Sequence, residues 1–170
     1  MPPSSRIGCV SLALIAICLL LAPGDLRARV NADFSGRWTR VAFTGALDKA
    51  FVSLGLQLTI KQSESALVIE GTWPDNRANQ RTYRLDGSAS ENPTTTAQGE
   101  PVAVTSTTEW MSNALLVRTT TVGPAFRYQW FDIYSINGDG NLVIASVGPN
   151  LFPSGTTSTI TRTYKRIGSK

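Results

Sequence analysis

The sequence contains no histidine, and its two cysteines, Cys9 and Cys18, both lie within the first 18 residues. Beyond them the chain has neither an imidazole nor a thiol. That excludes Ser-His-Asp and Cys-His nucleophilic sites, His-bearing zinc sites and thiol redox chemistry from the rest of the chain. It also excludes a disulfide framework. No Gly-rich phosphate loop and no Gly-x-Ser-x-Gly elbow occur. Charge is sparse: 16 Lys and Arg and 12 Asp and Glu are scattered, with no basic run and no aromatic interleaving. Nucleic acid is therefore not an expected partner.

The one long apolar run, Ile7 to Ala22, follows the single early charge of Arg6 and ends at Pro23-Gly24. It falls short of the roughly 20 residues that a membrane-spanning helix needs. A basic start, a short apolar stretch and a small-residue cleavage site describe a secretory signal. The best site follows Val30-Asn31-Ala32; sites nearer Ala22 or Ala28, and retention as an uncleaved anchor, are the alternatives. Cys18 follows the bulky Ile17 and Cys9 precedes most of the run, so neither suits lipoprotein processing. Residues 1–32 are expected to be a cleaved signal peptide and 33–170 a single domain, periplasmic or secreted, with no membrane span after cleavage. Without Arg6, Arg27, Arg29 and Asp25, the 16 basic and 12 acidic residues become 13 and 11, a net charge of +2.

In that domain apolar residues recur with period two, and Thr, Val and Ile are abundant, as half-buried strands require. Three hairpins repeat one grammar. Leu56–Lys61 turns at Ser63-Glu64 into Ala66–Glu70. Thr107–Trp110 turns at Ser112-Asn113 into Ala114–Arg118, and Phe131–Ile136 turns at Asn137–Gly140 into Asn141–Ala145. Short polar turns of this kind join antiparallel neighbours. Further strands are expected at Arg37–Phe43, Arg81–Asp86, Val102–Thr105 and Ser158–Arg166, and one short helical turn at most at Leu47–Leu54. The expected fold is all-β: an antiparallel meander of eight to ten strands closing into a small up-and-down barrel, with a two-sheet sandwich as the alternative.

Phe34-Ser35-Gly36-Arg37-Trp38 resembles the Gly-x-Trp opening of lipocalin-like barrels. The closing strand Thr161-Arg162-Thr163-Tyr164-Lys165-Arg166 offers the basic partner that such barrels place over that Trp. The chain is similar to small exported bacterial barrels that begin Phe-Ser-Gly-x-Trp and end Arg-x-Tyr-Lys, a group whose function is unsettled. The resemblance implies a lipocalin-like barrel with a central cavity for a small apolar ligand.

Phe126 to Ile136 is the richest segment for a site. Alternation puts Phe126, Tyr128, Trp130, Asp132, Tyr134 and Ile136 on one face, and Arg127, Gln129, Phe131, Ile133 and Ser135 on the other. With the aromatic face inward, Asp132 becomes a carboxylate inside the barrel and needs a partner, for which Arg162 is the candidate. The candidate ligand-binding residues are then Tyr128, Trp130, Asp132, Tyr134 and Arg162. The plainer reading is a bulge near Asp132 that turns it to solvent, with the aromatics filling the core.

Asn137-Gly138-Asp139-Gly140-Asn141 has the alternate oxygens of a calcium loop, but Leu142 stands where that motif needs Gly and no Glu follows at its twelfth position. A hairpin turn explains it, and no metal or cofactor is implied. The expected function is non-catalytic binding of a small apolar or amphiphilic molecule. The alternatives are an envelope interaction module with a filled core, using the Trp110, Pro124 or Phe152 regions, and a carboxylate-dependent hydrolase. Ligand identity and oligomeric state are left open by the sequence.

Overall fold

The computed structural model describes residues 31–45, 54–75, 78–96, 98–149 and 157–168. The expected signal segment up to residue 30, most of the Leu47–Leu54 turn and Phe152 lie outside the described residues. Within them the structure is all-β with no helix. The strands are β1 (Gly36–Thr44), β2 (Gln57–Gln62), β3 (Ala66–Thr72), β4 (Ala78–Arg84), β5 (Ser90–Glu91) and β6 (Thr94–Thr95). They continue as β7 (Pro101–Met111), β8 (Ala114–Val122), β9 (Arg127–Ile136), β10 (Leu142–Pro149) and β11 (Thr157–Arg166). Ten follow one antiparallel path, β4-β3-β2-β1-β11-β10-β9-β8-β7-β5, and the two-residue β6 pairs with β7. One sheet thus curls on itself into a nearly closed barrel, as expected; it does not form two facing sheets. Val102–Thr105 and Thr107–Trp110, expected as separate strands, are one continuous β7. Ser106, between them, keeps the alternation and faces inward, 1% exposed.

The interior is layered. Near the hairpins at 62–66, 111–114 and 137–141, the inward residues are large and apolar. Phe34, Trp38, Ile60, Leu67, Leu115, Leu142 and their neighbours form one buried cluster, with Trp110 and Ile136 packed against it. This end is the floor. Higher along the same inner faces, β8 goes from Leu115 and Val117 to Thr119 and Thr121, and β10 from Leu142 and Ile144 to Ser146. The upper half is mixed, with these polar groups set among Val102, Trp130 and Ile160.

A single basic residue closes the floor. The Arg166 guanidinium lies 4.4 Å from the centre of the Trp38 ring, and its Nη1 donates to the Ser35 carbonyl at 2.7 Å. The Trp38 indole nitrogen donates to the Phe34 carbonyl at 2.9 Å. Gly36 has φ of +132°, a conformation that side chains rarely adopt, and a Cβ there would meet Arg166 Nη1 at 2.8 Å. The Ser-Gly-x-Trp sequence is thereby accounted for residue by residue.

Between β4 and the β5–β7 edge, side chains replace the backbone ladder. The Asn92 carboxamide accepts from the Thr82 amide at 2.8 Å and donates to the Thr82 carbonyl at 3.0 Å. The Ser90 hydroxyl accepts from the Arg84 amide at 2.7 Å, and the Thr108 hydroxyl donates to the Arg84 carbonyl at 2.5 Å. An Asn92→Ala variant leaves both polar groups of Thr82 without these partners. It is expected to cost about 1–3 kcal/mol in urea unfolding and to speed amide exchange along β4 before other strands.

Candidate functional site

Asp132 lies on the inner face of β9, 1% exposed. The β8–β9 and β9–β10 registers run past it without interruption, Val117 opposite it on one side and Ser146 on the other. The bulge expected near Asp132 is therefore not there. The interruption falls in β1 instead, between Arg40 and Ala42, where Val41 turns outward and is 57% exposed. Across it, Arg40 pairs with Tyr164 and Phe43 with Arg162, so both keep the inner face.

Three neighbouring strands build the polar centre. The Trp130 indole nitrogen donates to Asp132 Oδ2 at 3.1 Å, and the Ser146 hydroxyl donates to Oδ1. Arg162 Nη1 donates to Ser146 Oγ at 2.9 Å, so Ser146 joins the two charged groups. Arg162 is itself 1% exposed. Burial pulls its guanidinium below the ordinary value and nearby Arg40 adds to the pull, while Asp132 opposes it. Gly148 makes room for the indole, because a Cβ there would come within 2.9 Å of Trp130 Cβ. One layer away, the Ser106 and Thr119 hydroxyls share a hydrogen bond of 2.9 Å across β7 and β8.

The candidate residues divide between two layers. Trp130, Asp132 and Arg162 are brought together. Tyr128 stacks on Trp130 with ring centres 5.4 Å apart, and Phe126 on Tyr128 at 5.5 Å, giving three rings that run from the half-buried rim to the buried indole. Tyr134 belongs to the floor, tilted against Phe34 and Tyr83 at 6.2 and 6.4 Å. The hydroxyls of Tyr134, Tyr83 and Thr121 are buried without a hydrogen-bond partner of ordinary geometry among the protein atoms.

Arg81, which the sequence reading placed on no site, alternates with Tyr83 on β4 and so faces inward. Burial works against its charge, but Tyr83, Asp132 and Tyr134 outweigh that and raise its pKa. Arg40, Ser146 and Gly148 were missed as well. The signal for Arg81 was its period-two relation to Tyr83. Arg40 carried the same signal through its period-two relation to Trp38, since the bulge falls only after it, between Arg40 and Ala42.

The other candidate features resolve locally. Asn137 Oδ1 accepts from the Asp139 and Asn141 amides at 3.1 and 2.9 Å, which caps the β9–β10 turn. Trp110 is stacked on Phe34 at 5.9 Å as part of the floor, and does not form the exposed apolar patch that an interaction module would need there. An open concavity of about 320 Å³, lined by Gly87, Thr107, Thr108, Glu109, Leu116 and Arg118, lies over the outer face of β7 and β8. No protein-family model matches the chain, and no curated protein matches it.

Asp132→Ala leaves the buried Arg162 without its carboxylate and is expected to cost about 3–5 kcal/mol of stability, as loss of one partner of a buried pair does. Asp132→Asn, which keeps one oxygen for one of the two donors and the shape of the side chain, loses less; chemical unfolding of the two variants separates charge from shape. A second expectation concerns alkali. Burial pushes Tyr128 up to about 12 and also raises Tyr134 and Tyr164. Between the ordinary tyrosine value of about 10 and these raised values the unfolded chain loses phenolic protons that the folded chain keeps. Stability is therefore whole below pH ~10 and falls as pH rises through that window. Thermal unfolding followed with tyrosinate absorbance should show ionisation of these residues arriving together with unfolding.

Proposed function

We propose that the chain is an exported, non-catalytic barrel that binds a small, partly apolar molecule in its upper interior. The observation that supports this best is the change of lining halfway up the barrel. A barrel that served only as a packed scaffold gains most from continuing the apolar floor, because buried polar groups add nothing unless they are paired. Here the upper half carries an indole, hydroxyls, guanidiniums and a carboxylate. Apolar rings with a few convergent polar groups are the usual composition of a small-molecule site. Arg166 over Trp38 supports reading the floor as that of a lipocalin-like barrel, open to ligand at the opposite end. Hydrolysis by paired carboxylates is disfavoured, since no second buried carboxylate faces Asp132 among the described residues.

A second reading rests on the outer face. Leu116, Ile133 and Ala145 lie side by side across β8, β9 and β10, next to Phe131, Val147 and Val143, all half-buried. This apolar band, edged by Arg118 with its guanidinium 5.6 Å from the Phe131 ring centre, suits an interaction module. Native mass spectrometry of the purified full chain tests both readings at once. Binding predicts a discrete extra mass that is lost on denaturation, and that Trp130→Ala abolishes while the far-ultraviolet spectrum stays that of a β protein. If the extra mass survives in Trp130→Ala, the site is misplaced. A bare protein that appears only as a multimer favours the outer face.

A further inference from the structure

The upper interior has more positive charge than negative. Asp132 is the only buried carboxylate among the described residues. The other described acids are exposed, apart from the half-exposed Glu70, which pairs with Lys61 at 3.6 Å. Three guanidiniums share the interior with Asp132. Arg162 is joined to it through Ser146. Arg81 faces inward beside Asp132, Tyr83 and Tyr134. Arg40 stands opposite Tyr164 in the β1–β11 register, and its guanidinium lies 5.7 Å from the Phe43 ring centre.

A guanidinium and an indole N–H can only donate hydrogen bonds, whereas a hydroxyl both donates and accepts but carries no charge. Asp132 already accepts from Trp130 and Ser146. The hydroxyls of Tyr83, Tyr134 and Thr121, each at most 2% exposed, are uncharged and lie in the same interior. What this lining lacks is an acceptor that carries negative charge. The three stacked rings, Phe126, Tyr128 and Trp130, lead inward from the rim to the same place.

Resting on the binding reading above, we infer that the ligand is an organic anion. It has a flat, largely apolar body against Tyr128 and Trp130 and one acidic group whose oxygens accept from Arg81 and Arg40. A planar acidic group matches the forked donors of a guanidinium, and such charge-assisted bonds are roughly twice as strong as neutral ones. A neutral ligand of the same shape leaves the excess positive charge uncompensated, and a cationic one adds to it.

The test uses three probes that share one ring and nearly one length: 2-naphthylacetate, 2-(2-naphthyl)ethanol and 2-(2-naphthyl)ethylamine. Each is titrated calorimetrically into the full chain at pH 7. The acetate is expected to bind at least tenfold more tightly than the alcohol, with the amine weakest. Arg81→Gln is expected to remove most of the acetate's advantage and leave the alcohol's affinity unchanged. Arg40→Gln, a half-buried position outside the core cluster, makes the same test should Arg81→Gln fail to fold. If the alcohol or the amine binds as tightly as the acetate, the anion assignment is wrong although the barrel is still a binder. If none of the three binds and the native mass is bare, both the assignment and the binding reading fall. If none binds but a compound co-purifies, its charge decides: an anion supports the inference, and a neutral or cationic compound overturns it.

Discussion

Asp132 occupies the inner face of a narrow barrel, where an isolated carboxylate would be strongly unfavourable. Its hydrogen bonds come from Trp130 on its own strand and Ser146 on the next, and Ser146 in turn receives Arg162 from the strand beyond. Because side chains alternate with period two, a slip of one residue in either ladder would send Ser146 or Arg162 to the outer face. The charged group thus admits only one register for β9, β10 and β11. Most of the remaining order follows: with β11 in place, Arg162 sits opposite Phe43, Tyr164 opposite Arg40, and Arg166 opposite Trp38.

The same pairing divides the barrel in two. Below Asp132 the inward positions are filled by rings and aliphatic groups, and Tyr134 and Tyr83 form the upper boundary of that packing. Above it the small hydroxyl residues Ser106, Thr119, Thr121 and Ser146 line the wall. Large apolar residues make the lower half rigid, and that rigidity holds the polar groups of the upper half in place. A preformed set of donors loses little conformational freedom when a partner arrives.

Much of this was legible in the sequence, for definite physical reasons. Alternation in Phe126–Ile136 assigned Tyr128, Trp130, Asp132 and Tyr134 to one face, and the need of a buried carboxylate for a partner singled out Arg162. The hairpin turns at Ser112-Asn113 and Asn137–Gly140 were visible from their residues alone. What stayed hidden depended on contacts between strands far apart in the chain. Arg81 looks like any surface arginine until β4 is curled toward β9. Phe43 is concealed by a bulge at Val41 that no residue type announces. Asn92 reads as a loop residue, though its carboxamide stands in for a stretch of strand. The position of the bulge was misjudged because a charged residue in an apolar pattern is more often solvated than paired.

The strand that opens the barrel and the strand that ends it lie side by side. β1 has β2 on one flank and β11 on the other, so one whole side of the first strand waits on residues more than a hundred positions later. A chain emerging from the ribosome can form the β2–β3 and β7–β8 hairpins early, but it cannot close the floor until Arg166 has been made. Until then Trp38 lacks its guanidinium and the outer ladder of β1 is an open edge, the kind that pairs with other chains. The architecture therefore ties closure of the barrel to the arrival of β11, however early the other hairpins form.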